Sequence, residues 1–372
     1  MGMIEFCAPC LFGLEGVLAN ELRQIGAENI RAENGRVLFS GDYNLLARAN
    51  LCLRTAERVC IVLGGFTAKT FDSLFEGTKK LPFERFIAKQ NAFPVSGWSL
   101  NSKLFSVRDC QKIIKKAAVT RLSQKYKTSW FEESGSEVKI RFSILKDAVT
   151  IMLDTSGEAL HKRGYRALSS AAPIKETLAA AMVLLSRPYS DSVVYDPFCG
   201  SGTIAIEAAL IAAGISPGLK RNFAAERWGS VKPAVFKAER ERARDRINRD
   251  IAFCARASDI DPAAAELTLE NAKKAGVEQF VKAKCADISD FCPDTQRGII
   301  VTNPPYGERL LDIEEARRIY AVMGERFEKK HGFRYSVISP DDRFEQLFGR
   351  TADKRRKLYN GMLKCNLYMY YK

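Results

Sequence analysis

The chain has 372 residues, 46% of them hydrophobic, and carries 58 Lys and Arg against 44 Asp and Glu, for a formal net charge of +14. This length provides for two or three domains with ordinary cores, and no run of about eighteen apolar residues marks a membrane span. The start lacks the charged, apolar and small-residue pattern of an export signal, so the cytoplasm is the expected compartment, and the basic excess points to a polyanionic partner.

In chain order, residues 4–7, 36–39 and 58–63 read as strands and 16–25 and 43–50 as helices. Their alternation suits a small α+β ferredoxin-like unit over residues 1–65. Residues 66–160 read as a second α+β unit that ends in two strand-like runs, 137–144 and 148–153. Between Trp98 and Trp130 stand eight Lys or Arg and one acid, Asp109. On a helix starting near Val107, residues Val107, Cys110, Ile114, Ala117 and Ala118 make an apolar stripe, while Arg108, Lys112, Lys115 and Lys116 share the opposite face. A second basic cluster with an aromatic, His161-Lys-Arg-Gly-Tyr-Arg166, marks the junction with residues 161–372.

From about residue 162 strands and helices alternate, which implies a parallel sheet with ligands beyond the carboxyl ends of its strands. Residues 193–195 are an apolar strand, followed by Asp196-Pro-Phe-Cys-Gly-Ser-Gly-Thr203 and a run with helical spacing. Gly200 and Gly202 allow a sharp turn and close backbone approach, and the helix starting near Thr203 offers unpaired N–H groups. The loop lacks the Lys-Ser/Thr ending of a polyphosphate loop, and a carboxylate at Asp196 favours an ammonium group. S-adenosylmethionine, with its amine and nucleoside, meets both conditions.

Residues 220–249 carry ten basic side chains and four acids, an insertion beyond the roughly 20-residue spacing of a minimal nucleotide fold and a further candidate polyanion contact. Asp261, closing Ala257-Ser-Asp-Ile-Asp261, stands where an acid accepts from ribose hydroxyls, and Asp287 ends a third strand where it would accept from an adenine amine. The strand 298–302 leads into Asn303-Pro-Pro-Tyr306. Its prolines fix φ, so the Asn303 side chain and the Pro304 carbonyl are held toward one point that suits an exocyclic NH2, with Tyr306 placed to stack on an extruded base. At the end of the chain, residues 355–359 and 362–371 read as strands joined by a tight Asn360-Gly361 turn. Of ten cysteines only Cys7 and Cys10 have CxxC spacing, and His161 and His331 are the sole histidines, so no metal centre is expected.

These motifs make the chain resemble a class I S-adenosylmethionine-dependent methyltransferase of the amino-group type. Together with His161–Arg166, Ala172-Pro-Ile-Lys-Glu-Thr-Leu-Ala179 and Lys357-Leu-Tyr-Asn-Gly361, they resemble the THUMP-containing RNA guanine-N2 methyltransferases, the RlmL-like group acting on 23S ribosomal RNA. The resemblance covers essentially the whole chain. It implies an α/β fold: a Rossmann-like seven-stranded methyltransferase domain over 161–372, a ferredoxin-like unit over 1–65 and a THUMP RNA-binding domain over 66–160.

The implied cofactor contacts are Lys175, Glu176 and Thr177 within the Pro173–Thr177 segment, Asp196, Phe198, Cys199, Gly200, Ser201, Gly202 and Thr203 in the loop, and Asp259, Ile260, Asp261, Asp287, Ile288 and Asn303 at the strand ends. Asn303, Pro304, Pro305 and Tyr306 would hold the base. Arg108, Lys112, Lys115, Lys116, His161, Lys162, Arg163 and Arg166 are the candidate RNA contacts, although the last four would equally serve to order the linker. Transfer RNA as substrate, adenine N6 as target, and a non-catalytic RNA-binding assembly factor remain the alternatives.

Overall fold

The computed structural model describes residues 3–166, 174–306, 313–328 and 331–371. The chain divides into two compact units, one of residues 1–9, 19–160 and 222–242, the other of residues 10–18, 161–221 and 243–372.

The first unit is built on β1 (Ile4–Pro9), α1 (Glu15–Gln24), β2 (Glu28–Glu33), β3 (Arg36–Gly41), α2 (Tyr43–Cys52), β4 (Cys60–Thr67), α3 (Phe71–Lys79), β5 (Val95–Leu100), α4 (Val107–Tyr126), β6 (Ile140–Leu145) and β7 (Ala148–Asp154), the opening turn of α1 lying in the other unit. Its strands form one sheet in the order β2-β3-β1-β4-β7-β6-β5. The two units expected over 1–65 and 66–160 are thus one continuous sheet, because β4 pairs with β1 on one side and with β7 on the other, and residue 65 lies inside β4.

Local chemistry sets the ends of these elements. Asp42 caps α2 by accepting from the Leu45 N–H at 2.8 Å, and Ser106 caps α4. Lys146 and Asp147, both at positive φ, close the β6–β7 hairpin in two residues. The side of α4 that faces the core carries Cys110, Ile114, Ala117, Ala118 and Leu122, all buried, whereas Val107 is half-buried.

The second unit contains α5 (Glu176–Ser186), β8 (Val193–Asp196), α6 (Thr203–Ala212), the end of α7 (Pro233–Asp245), β9 (Cys254–Asp259), α8 (Pro262–Ala275), β10 (Val281–Cys285), β11 (Gly298–Thr302), α9 (Ile313–Arg326), β12 (Phe333–Ser339), α10 (Phe344–Leu347), β13 (Lys354–Asn360) and β14 (Leu363–Tyr370). The sheet order is β10-β9-β8-β11-β12-β14-β13, parallel from β10 to β12 and with β14 antiparallel to both neighbours. The order reverses between β8 and β11, so the loops leaving these two strands flank the crevice where such sheets bind ligands. Tyr320 and Met323 of α9 and Phe327 just after it pack with Ile300 of β11, Tyr335 of β12 and Phe344 of α10 to fix that end of the sheet.

The terminal turn differs from the expectation. Asn360 pairs with Leu363, which leaves Gly361 and Met362 as the two turn residues, and only Gly361 has positive φ, at 64°. A two-residue turn with glycine first matches the right-handed strand twist, and it releases Asn360 from the turn into the end of β13.

The basic stretch after α6 is also partly spent on structure. Residues 222–242 belong to the first unit, where Arg240 donates to both Glu226 oxygens at 2.8 and 2.9 Å, Glu239 receives Arg48, and the buried Trp228 indole donates to the Glu137 carbonyl. Among the described residues no helix is long and apolar enough to cross a membrane, and no cluster of His, Cys, Asp or Glu is placed to hold a metal.

Candidate active site

The site begins at the carboxyl end of β8. Asp196 is 1% exposed, and its carboxylate accepts from the Thr302 hydroxyl at 2.8 Å and the Phe198 N–H at 3.3 Å. Burial pushes its carboxyl up to about 7 against these two donors, with the nearby Asp259 charge acting in the same direction as burial.

The loop then folds back onto β9 and α8. The Cys199 N–H donates to the Ser258 carbonyl at 2.9 Å, and the Gly200 N–H donates to the Asp259 carboxylate at the same distance. Thr268 donates to the Gly200 carbonyl at 3.1 Å and Asn271 to the Ser201 carbonyl at 3.0 Å. Gly202 caps α6 at φ 78°, and a Cβ there would lie 2.6 Å from the Thr268 methyl, so the loop can close on α8 only with glycine at this position. Cys199 is buried, its sulfur 3.4 Å from the Thr268 hydroxyl oxygen, and burial pushes its thiol well above the ordinary range.

Of the acids expected to meet the cofactor, Asp259 closes β9, and Asp261 and Asp287 each lie two residues beyond a strand end. Asp259 is the last residue of β9, with one oxygen on Gly200 and the other accepting from the Asp261 N–H at 3.1 Å. Asp261 is exposed and caps α8 through the Ala263 N–H at 2.9 Å, just before Pro262 at the first helical position. Ile260 between them is 70% exposed, leaving an apolar face beside two carboxylates. Asp287 accepts from the Ser289 N–H at 2.7 Å, and this hydrogen bonding holds its carboxyl below the usual range, next to the buried Ile288. Acids for a ribose diol and an amine, an apolar face for a purine and a carboxylate at the β8 end are the donor set that S-adenosylmethionine requires. The residues present fit it.

At the end of β11, the Tyr306 hydroxyl donates to Asn303 Oδ1 at 2.8 Å and accepts from Asn360 Nδ2 at 2.5 Å. Burial raises the Tyr306 phenol well above its ordinary value, so it remains a donor. The Pro305 carbonyl accepts from the Tyr320 hydroxyl at 3.3 Å, and Tyr320 itself accepts from Ser339. Thr302, Pro305 and Tyr306 are thereby fastened to β8, α9 and β13 respectively, and Asn303 is held through Tyr306.

Ala172 and Pro173 lie outside the described residues. Lys175 occupies the position just before α5, and the following Glu176 and Thr177 are buried. Burial raises the Glu176 carboxyl despite its ion pair with Arg166 at 3.3 Å.

Three of the expected RNA contacts, Arg166, Arg163 and Lys115, are corrected here. Arg166 donates to the Ile174 carbonyl at 3.0 Å and reaches Thr203 as well as Glu176, so it braces the cofactor side of the unit. Arg163 is 5% exposed and pairs with the fully buried Glu207, which also accepts from Tyr165. A guanidinium buried against a carboxylate does not offer itself to phosphate. Lys162 is exposed and His161 half-buried. On α4, Arg108, Lys112 and Lys116 are exposed, whereas Lys115 turns to the Phe93 carbonyl and ring and to Glu133, which removes it from the basic face.

Comparison with known proteins decides the family. Residues 163–369 match the family described as RMKL-like, methyltransferase domain; residues 5–60 match the RlmL ferredoxin-like domain and 68–154 the THUMP domain. This chain belongs to the RMKL-like methyltransferase family. Its cofactor is S-adenosylmethionine. The RMKL-like chain is 44% identical over 366 residues to the Bacillus subtilis protein named "Putative RNA methyltransferase YpsC", covering 98% of this chain and 95% of that one. It is 32% identical over 379 residues to the ribosomal RNA large subunit methyltransferase K/L of Shewanella baltica, covering 99% of this chain and 53% of the relative, so it spans about half the length of the K/L proteins. The crystal structure of SMU.472 complexed with SAH superposes with a TM-score of 0.94 at 41% identity, over 100% of this chain and 98% of that one.

Asn360, inside the Lys357–Gly361 motif, reads from the sequence as turn chemistry alone. Asn-Gly carries so strong a turn signal that it conceals a side chain turned toward Tyr306.

Proposed function

We propose that the chain transfers a methyl group to the exocyclic N2 of a guanosine in RNA, with 23S ribosomal RNA as the substrate. The observation that carries this reading is the Asn303–Tyr306 segment, fastened at the end of β11 across the switch point from the Asp196–Thr203 loop. S-adenosylmethionine, when bound, supplies an electrophilic methyl group.

An aromatic exocyclic amine is a weak nucleophile because its lone pair is delocalised into the ring. The Asn303 side-chain oxygen and the Pro304 carbonyl accept its two hydrogens, which favours a pyramidal nitrogen with its lone pair directed at the methyl carbon. Tyr306 stacks on the base after it leaves its helix. With S-adenosylmethionine held there, transfer would need no covalent enzyme intermediate, and the proton that the amine gives up would pass to solvent or to a neighbouring carbonyl. The exposed Arg108, Lys112 and Lys116 of α4 hold RNA phosphates. The K/L relatives bear ribosomal RNA in their name, which supports the substrate class.

Nucleoside analysis after reaction with unmodified total RNA tests this reading. N2-methylguanosine in the 23S fraction is expected. N6-methyladenosine would overturn the guanine assignment, and label confined to transfer RNA would overturn the ribosomal one.

A further inference from the structure

The Tyr306 hydroxyl has one hydrogen and sits between two asparagines. Asn360 Nδ2 approaches it at 2.5 Å and Asn303 Oδ1 at 2.8 Å. An amide nitrogen only donates, so the phenol oxygen accepts from Asn360 and its own hydrogen goes to Asn303.

That direction has a consequence for Asn303. An asparagine amide presents an oxygen on one side and an NH2 on the other, and the two ends are nearly the same size. Only the oxygen can accept from a substrate amine. A hydrogen bond arriving from Tyr306 holds the oxygen in place and leaves it a second lone pair. If the phenol donated elsewhere, the amide would be free to turn its NH2 toward the substrate, donor against donor.

We propose that Asn360 is a positioning residue for methyl transfer: by donating to the Tyr306 hydroxyl it commits that hydroxyl to Asn303 and keeps the Asn303 oxygen directed at the target amine. This role rests on the amino-group reading of Asn303. Asn360 is held for it from two sides. Its pairing with Leu363 and the Gly361-Met362 turn fix its backbone, and Phe12 packs edge-on against the adjacent Tyr359 with ring centroids 6.0 Å apart. Gly13 lies so close to the Lys357 carbonyl that a Cβ would stand 2.3 Å away, which seats the same strand.

Asn360→Asp separates this role from a turn role. Aspartate matches asparagine in size and in tolerance of the position before a turn glycine, but as a carboxylate it only accepts. It would draw the phenol hydrogen away from Asn303. With unmodified total RNA and labelled S-adenosylmethionine, Asn360→Asp should lower kcat by about tenfold or more, the value of one lost hydrogen bond in the transition state. KM for RNA, affinity for S-adenosylhomocysteine and the melting temperature should stay near wild type, which shows that the variant folds. In a Tyr306→Phe background the same substitution should cost nothing further.

Wild-type turnover in Asn360→Asp, or an equal loss with and without the Tyr306 hydroxyl, would overturn the proposal. A turn role alone predicts that Asp is tolerated and that Asn360→Ala does equal harm in both backgrounds. The identity of the labelled nucleoside judges the substrate reading separately, because the ratio of variant to wild type decides the role of Asn360 whichever amine is methylated.

Discussion

The Thr302 hydroxyl donates to the Asp196 carboxylate at 2.8 Å, and this bond ties the last residue of β11 to the last residue of β8. Both groups are buried, and the two strands are neighbours at the point where the sheet order reverses. The strand end that begins the cofactor loop and the one that leads into Asn303 are therefore set by a shared contact. Thr302→Val keeps the shape and removes the donor, leaving a buried carboxylate with one partner fewer. The expected cost is about 1–3 kcal/mol of stability, read by denaturant unfolding, together with weaker S-adenosylhomocysteine binding. An unchanged unfolding midpoint would show that the bond is not a support of the site.

The same carboxylate predicts a pH dependence. Burial moves Asp196 from 3.8 to about 7 in the folded protein. Between these values the folded state holds a proton that the unfolded state has lost. The group's contribution to stability is therefore full below 3.8 and is lost as pH rises through about 7. Without cofactor, Asp196→Asn should flatten the fall in melting temperature across that window. Parallel curves for the two proteins would contradict the assignment. A ligand ammonium near Asp196 would favour the ionised form, so S-adenosylhomocysteine affinity should rise with pH over the same interval.

Gly202 sits at φ 78° with the Thr268 methyl 2.6 Å from where a Cβ would be. Gly202→Ala should strain the loop by about 1–3 kcal/mol and displace Thr268 from the Gly200 carbonyl. Calorimetry should show S-adenosylhomocysteine binding weakened about tenfold or more, since each 1.4 kcal/mol is a factor of ten. Wild-type affinity would mean that the loop geometry is not what binds.

Arginine and lysine variants should separate by burial rather than by charge. Arg163→Ala strands the buried Glu207 and should destabilise the protein by about 3–5 kcal/mol, seen in unfolding curves. Lys112→Glu and Lys116→Glu change exposed side chains of α4. They should leave stability nearly unchanged while weakening RNA binding and reducing its dependence on salt. The reverse pattern would remove α4 from the RNA-binding surface.

Much of the second unit's layout was legible because Asp196 and Asn303 follow short apolar strands, whereas Asp259, Asp261 and Asp287 belong to or follow strands interrupted by Arg256, Lys282 and Lys284 and were placed by their spacing. The first unit was less legible. The edge strand β2, Glu-Asn-Ile-Arg-Ala-Glu, is mostly exposed and carries no apolar period, so nothing local marked it. β5 pairs in parallel with β6, a long-range partner that no local pattern announces. Arg163 and Arg166 looked like surface charge because their partners Glu207 and Glu176 are distant in the chain or hidden in a helix start. Asn360 was read as turn chemistry because register, which moved the turn by one residue, is set by cross-strand pairing.

The most direct test of the central claim is transfer of labelled methyl from S-adenosylmethionine to unmodified RNA by the wild type and by Asn303→Ala, with S-adenosylhomocysteine affinity measured on both. Wild-type protein should make N2-methylguanosine, and Asn303→Ala should bind the cofactor product normally while losing about a hundredfold or more in turnover, in the range of a lost transition-state contact. Full turnover by Asn303→Ala would contradict the account.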